Sequence, residues 1–201
     1  MLTLLLIIIL LICAGLVWLE GLWGAAVTVL NVLFAGLIAT SYFASLAGML
    51  EDVLPNFAFF WDFLSFWLLF AIVCGLLRLI TGTISTHRVR YIMAIEMAGR
   101  TILALVVAWL MICLTCFSLH FAPLSESPFA GGFQQTAMSK DFLGMAPDRQ
   151  WLAIVHGCSV GSLQPLSGNT ISTPSEFIEN YRARRRALAE IKSTTGSFYA
   201  K

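Results

Sequence analysis

Charge is what this sequence has least of. Only 11% of its 201 residues are Asp, Glu, Lys or Arg, against about a quarter in an ordinary soluble domain. That deficit excludes a typical water-soluble globular protein. The formal net charge is +1, so no overall basic field is available to hold nucleic acid. There are three histidines, and none follows His156. Four of the five cysteines (13, 74, 113 and 116) lie in apolar blocks and only Cys158 lies outside them, so no disulfide framework is implied. Cys113-x-x-Cys116 has no second pair nearby and reads as two small apolar residues rather than a redox or metal site. No metal, cofactor or small-molecule substrate is expected.

What is present is hydrophobic mass: 59% apolar residues, with 15 Phe and 6 Trp. Residues 2–46 carry one charged side chain, Glu20. Residues 57–80 carry Asp62 and Arg78, both near the ends, and 101–117 carry none. A membrane-spanning helix needs about 20 apolar residues. As one helix, the first block would be roughly 68 Å long, more than twice a hydrocarbon core of about 30 Å. It must fold back, and Trp18-Leu19-Glu20-Gly21-Leu22-Trp23-Gly24 supplies charge, glycine and interfacial tryptophan for the turn. The expected fold class is all-α and polytopic. Four transmembrane helices at about 3–19, 24–46, 57–80 and 92–121 form a domain over residues 1–122. The first helix lacks a basic n-region and is too long for a cleaved signal. Leu10-Leu11-Ile12-Cys13 is a poor lipoprotein box, with Ile12 where a small residue belongs.

Arg78, Arg88, Arg90 and Arg100 surround the connection between the third and fourth helices, whereas the 2–3 connection holds Glu51 and Asp52 and no base. The positive-inside rule puts the basic loop in the cytoplasm and both termini outside. Residues 123–201 then form an extramembrane, extracytoplasmic tail. Two short helices are expected there. One spans about 148–156, with Trp151, Ile154 and Val155 as its apolar stripe. The other spans about 174–194, begun by Thr173-Pro174-Ser175-Glu176 and lined by Phe177, Tyr181, Leu188 and Ile191. Its arginines, Arg184 and Arg185 among them, make either a solvated face or a docking face for a partner or anionic lipid.

Gly157-x-Ser159-x-Gly161 matches the nucleophile elbow of serine hydrolases, but that motif needs an α/β sheet and a histidine after the acid. The tail offers neither, so Ser159 reads as a helix-end residue and no catalytic residue is assigned. Intramembrane ionisable residues are functional suspects by default. Glu20, Arg78, Glu96 and Arg100 are therefore candidate structural or partner positions, with Glu96 and Arg100 spaced i, i+4 to pair. Gly21 is the turn residue. Asn31, nearest a midplane, suits an interhelical hydrogen bond. Glu20 and Arg100 belong at one depth, so Arg100 reads either as a simple topology anchor or as the partner of Glu20 in an interhelical ion pair. The pairs Ala35/Ala39, Ala44/Gly48 and Ala94/Ala98 offer close helix approach.

Several of these segments together resemble the colicin V production protein family, small bacterial inner-membrane proteins of four helices. They are Trp18-Leu19-Glu20-Gly21 in the hairpin turn, Ser41-Tyr42-Phe43-Ala44-Ser45-Leu46, Leu76-Leu77-Arg78, the basic loop and Gly99-Arg100. The likeness covers about residues 1–122. Asp148-Arg149-x-Trp151-Leu152 followed by Ser159-Val160-Gly161-Ser162-Leu163 is similar to a segment of longer members. The chain departs from the pattern at Glu20, where the family has a basic residue. It departs again at Met93, Met97 and Thr101, where the family has glycines; Arg100 is retained. The resemblance implies an inner-membrane, non-enzymatic role in toxin production or export and in envelope processes. On this reading the chain is an accessory or scaffold protein whose partners are the lipid bilayer and other membrane proteins or further copies of itself. The alternative is a small oligomeric transporter or channel component.

Overall fold

The computed structural model describes residues 2–53, 58–84, 93–122, 145–160 and 178–183. Five helices appear in chain order: α1 Leu2–Trp18, α2 Gly21–Val53, α3 Ala58–Ile84, α4 Met93–Leu119 and α5 Pro147–Val160. Residues 178–183 are also helical, and the described part of the chain is all-α. Three helices (α2, α3 and α4) are long and apolar enough to cross a membrane, while α1 is a shorter apolar helix of 17 residues. This fits a multi-pass membrane protein.

The turn between α1 and α2 is tighter than the sequence implies. Two residues, Leu19 and Glu20, separate the helices, and the Glu20 amide donates to the Val17 carbonyl at 3.0 Å. Gly21 then takes φ +80°, the left-handed region that costs any residue with a Cβ about 1–2 kcal/mol. α2 therefore starts at Gly21 rather than near 24. It also runs to Val53 rather than 46, and Ala47, beyond the expected end, is still buried against the bundle. Its 33 residues make a rod of about 50 Å, longer than a hydrocarbon core.

α2 packs on both α3 and α4, α1 packs on α4, and α5 packs on α4. Leu2 and Leu6 cluster with Ile112, Cys116 and Leu119, while Trp18 reaches Thr101, so α1 and α4 run antiparallel. Asn31 bonds Thr81 and Phe43 meets Phe66, so α2 and α3 also run antiparallel. Near the C-terminal end of α4, Phe43 stacks on Phe121 at 5.0 Å between centroids. Phe66 and Phe117 pack edge-on to Phe121 at 5.4 and 5.2 Å. Tyr181, in the 178–183 segment, closes on the same ring at 5.8 Å. Such pairs each add about 0.5–1.5 kcal/mol beyond burial. They tie α2, α3, α4 and the tail together. Leu4, Leu11 and Leu16 on α1, and Leu68, Ile72, Leu76 and Leu79 on α3, face outward, where hydrocarbon suits them and water does not.

Candidate functional site

Two polar groupings stand out in this apolar bundle. The first surrounds the α1–α2 turn. Because Gly21 reverses the chain abruptly, the Glu20 side chain folds back along α2. Its Oε2 accepts from the Thr28 hydroxyl at 2.7 Å, and its Oε1 pairs with the Arg78 guanidinium of α3. A turn further along α2, the buried Asn31 donates from Nδ2 to Thr81 Oγ1 at 3.1 Å. Thr81 in turn donates to the Leu77 carbonyl at 2.7 Å. Glu20, Thr28 and Asn31 thus form a polar seam with Arg78 and Thr81 along one end of the α2–α3 contact.

Arg100 takes no part in that seam, so the Glu20–Arg100 pair, one of the two readings of Arg100, does not form. α2 lies between α3 and α4 in the packing, and Glu20 turns toward the α3 side. Arg100 instead lies over the Trp18 ring, its Cζ 3.9 Å from the ring centroid. The expected Glu96–Arg100 pair does not form either. Glu96 Oε1 lies 3.8 Å from where a Cβ on Gly21 would stand, beside the start of α2, where the helix dipole favours an anion. Trp18 is the last residue of α1, so this contact joins the end of α1 to α4.

The second grouping seats α5 on the bundle. Trp151 is fully buried, and its indole lies directly on the backbone of Gly36. A Cβ there would come within 2.6 Å of Cη2 and 2.8 Å of Cζ2. Its Nε1 donates to Thr40 Oγ1 at 3.0 Å. One residue earlier, Gln150 Oε1 accepts from Trp109 Nε1 at 2.9 Å. At the start of α5, Asp148 Oδ2 meets His120 Nε2 at 2.8 Å, with both side chains almost wholly enclosed. Burial pushes the Asp148 carboxyl up. The His120 hydrogen bond and charge, with the Arg149 amide and guanidinium, outweigh it and hold the group below the usual carboxylate range. Chemically the pair is an electrostatic tie between α4 and α5, closed to solvent.

The expected apolar stripe of α5 is corrected in one position. Trp151, Leu152 and Val155 are buried, whereas Ile154 is exposed. The buried residues follow Asp148 at i+3, i+4 and i+7, the spacing of a helix face. Ala35 and Ala39 line the bundle interior, while Ala44, Gly48, Ala94 and Ala98 are exposed. Asp62, near the start of α3, is also buried.

Of the residues singled out from sequence, Glu20, Gly21, Arg78, Glu96 and Arg100 lie around the α1–α2 turn, Asn31 lies further along α2 against Thr81, and Trp151 lies in the α5 seat. Arg184 and Arg185 fall outside the described residues, as do most of the expected 174–194 helix, the Arg88 and Arg90 loop, and the Ser159 side chain. Sequence reasoning missed Gly36, Thr40 and the His120–Asp148 tie. The first two were legible as extensions of the Ala35/Ala39 small-residue face. Twenty-eight residues separate the tie, and no local spacing announces it. Among the described residues, no three His, Cys, Asp or Glu side chains gather as a metal site. The chain matches no protein-family model, no curated protein and no solved structure.

Proposed function

We propose that this chain is a four-span integral membrane protein of the bacterial envelope that serves as a non-enzymatic scaffold or accessory subunit. α1 is the fourth span, both termini are extracytoplasmic, and the 85–92 loop is cytoplasmic. The observation that carries the reading is the seating of Trp151 on Gly36. It makes the tail part of the membrane bundle and fills the α2–α4 groove with side chains, as a contact platform requires and a conduit does not. The motif resemblance of residues 1–122 to colicin V production proteins is what supports a role in toxin production, export or related envelope processes. The exposed small residues Ala94 and Ala98 on α4 leave room for a partner helix.

The test is photo-crosslinking in cells, with a benzoyl-phenylalanine placed at Ala94 or Ala98. A scaffold gives discrete protein adducts at these positions, either with itself or with a second membrane protein. Lipid adducts alone at both positions contradict it.

One observation favours the second reading, a small transporter or channel component. Glu20, Thr28, Asn31, Arg78 and Thr81 form a run of polar groups on two apolar helices, and intramembrane polar groups often mark a solute path. Solute or ion flux in proteoliposomes, abolished by Asn31→Leu, would establish that reading in place of the scaffold.

A further inference from the structure

Arg78 pairs with Glu20, and Glu96 Oε1 lies beside Gly21 at the start of α2. Arg100 has no carboxylate partner among the described residues. Its Nε is buried with no hydrogen-bond acceptor. The guanidinium is nevertheless held in place. The Trp18 ring lies beneath it at 3.9 Å. The Trp18 indole N–H donates to Thr101 Oγ1 at 3.3 Å, and that hydroxyl donates to the Met97 carbonyl at 2.8 Å. The ring is thereby fixed by the helix that bears the arginine. Trp18 and Trp23 are both partly exposed at this end of the bundle, and tryptophan concentrates at headgroup depth. A planar cation, pre-oriented on an indole at that depth, matches a phosphate oxygen pair. An indole platform lowers the entropy lost when the cation is engaged.

We propose that Arg100, stacked on Trp18, binds the phosphate of an anionic phospholipid between the end of α1 and the start of α4. A lipid with a net negative headgroup is preferred over a zwitterionic one, whose own ammonium competes for the phosphate. The inference rests on the membrane reading above in one respect, that this end of the bundle meets a headgroup layer. Of the nearest acids, Glu20 is engaged by Arg78 and Thr28, and Glu96, whose Oε1 lies beside Gly21, makes no ion pair with Arg100.

The test uses the full chain in mild detergent, stripped of co-purified lipid. It is titrated by native mass spectrometry with phosphatidylglycerol and phosphatidylcholine, and separately melted with inorganic phosphate. Wild type should retain phosphatidylglycerol in preference to phosphatidylcholine. Arg100→Gln should weaken the phosphatidylglycerol adduct about tenfold and erase the preference, while Arg182→Gln should leave both unchanged. Trp18→Leu keeps the guanidinium and removes its platform, so it should reduce the preference part-way. It also carries the comparison if Arg100→Gln fails to accumulate. An arginine that merely supports the fold would lower the melting temperature without changing the lipid ratio. An unchanged ratio in Arg100→Gln, or in Trp18→Leu where that variant must stand in, overturns the proposal. So does inorganic phosphate stabilising wild type as much as phosphatidylglycerol does, which would assign the site to a soluble anion. Release of the wild-type chain from membranes by alkaline carbonate would instead overturn the membrane reading, a separate failure from loss of lipid preference.

Discussion

Trp151 rests on Gly36: its indole occupies the volume where any larger residue at position 36 would place its side chain. Thr40, one turn on, fixes the ring by accepting its N–H. A residue 115 positions away in sequence is therefore built into the middle of α2. The tail is not an appendage of the bundle but one of its packing elements.

The Glu20–Arg78 pair gives a prediction that separates it from the alternative partner. Glu20→Arg and Arg78→Glu should each lower the melting temperature, and the double swap should recover most of the loss. Arg100→Glu should not be rescued by Glu20→Arg. A coupling of about 0.5 kcal/mol or more is expected even for a partly exposed pair. Additive single-mutant losses would remove the pair from the account.

Asp148 predicts an acid limb. Its carboxyl is held below the usual range when α5 is seated. Its contribution is therefore fully present above the unfolded carboxylate value of about 3.9. It is lost as pH falls through the depressed native value. Hydrogen exchange of the α5 amides should accelerate in that acidic window in wild type. Asp148→Asn should be less protected at neutral pH and show a flatter response. An acid limb of equal steepness in Asp148→Asn would show that another group causes it.

Gly21 predicts a turn-specific penalty. With φ at +80°, Gly21→Ala should cost about 1–2 kcal/mol, and Gly21→Asn should cost less because Asn tolerates the left-handed region. Thermal unfolding of the two variants checks the order. Equal, negligible losses would mean that the turn adopts another geometry.

The long apolar runs made α2, α3 and α4 legible, because length and uninterrupted hydrophobicity are local properties. The turn was legible too, since Glu20 and Gly21 interrupt an otherwise apolar stretch. Partner choice was not. Equal depth allows Glu20 to meet Arg100, but Glu20 pairs with Arg78 of α3, and depth alone does not fix which neighbouring helix a side chain turns to. One of the three stripe residues of α5 differs, Leu152 being buried and Ile154 exposed, because periodicity alone does not say which side a short helix presents. The His120–Asp148 tie was illegible because it exists only after α5 has docked on α4.

The account depends most on the tail helix being seated in the α2–α4 groove, and the contact between Gly36 and Trp151 is where that can be measured. Gly36→Ala introduces a methyl that collides with the indole, and should cost about 1–3 kcal/mol in the wild-type background. Trp151→Leu removes the ring and is destabilising by itself, but it opens the volume that the methyl needs. The decisive measurement is the thermal stability of Gly36→Ala in the Trp151→Leu background. The seated helix predicts that the Gly36→Ala penalty there falls to near zero. The same penalty in both backgrounds would contradict it, because the two residues would then act independently.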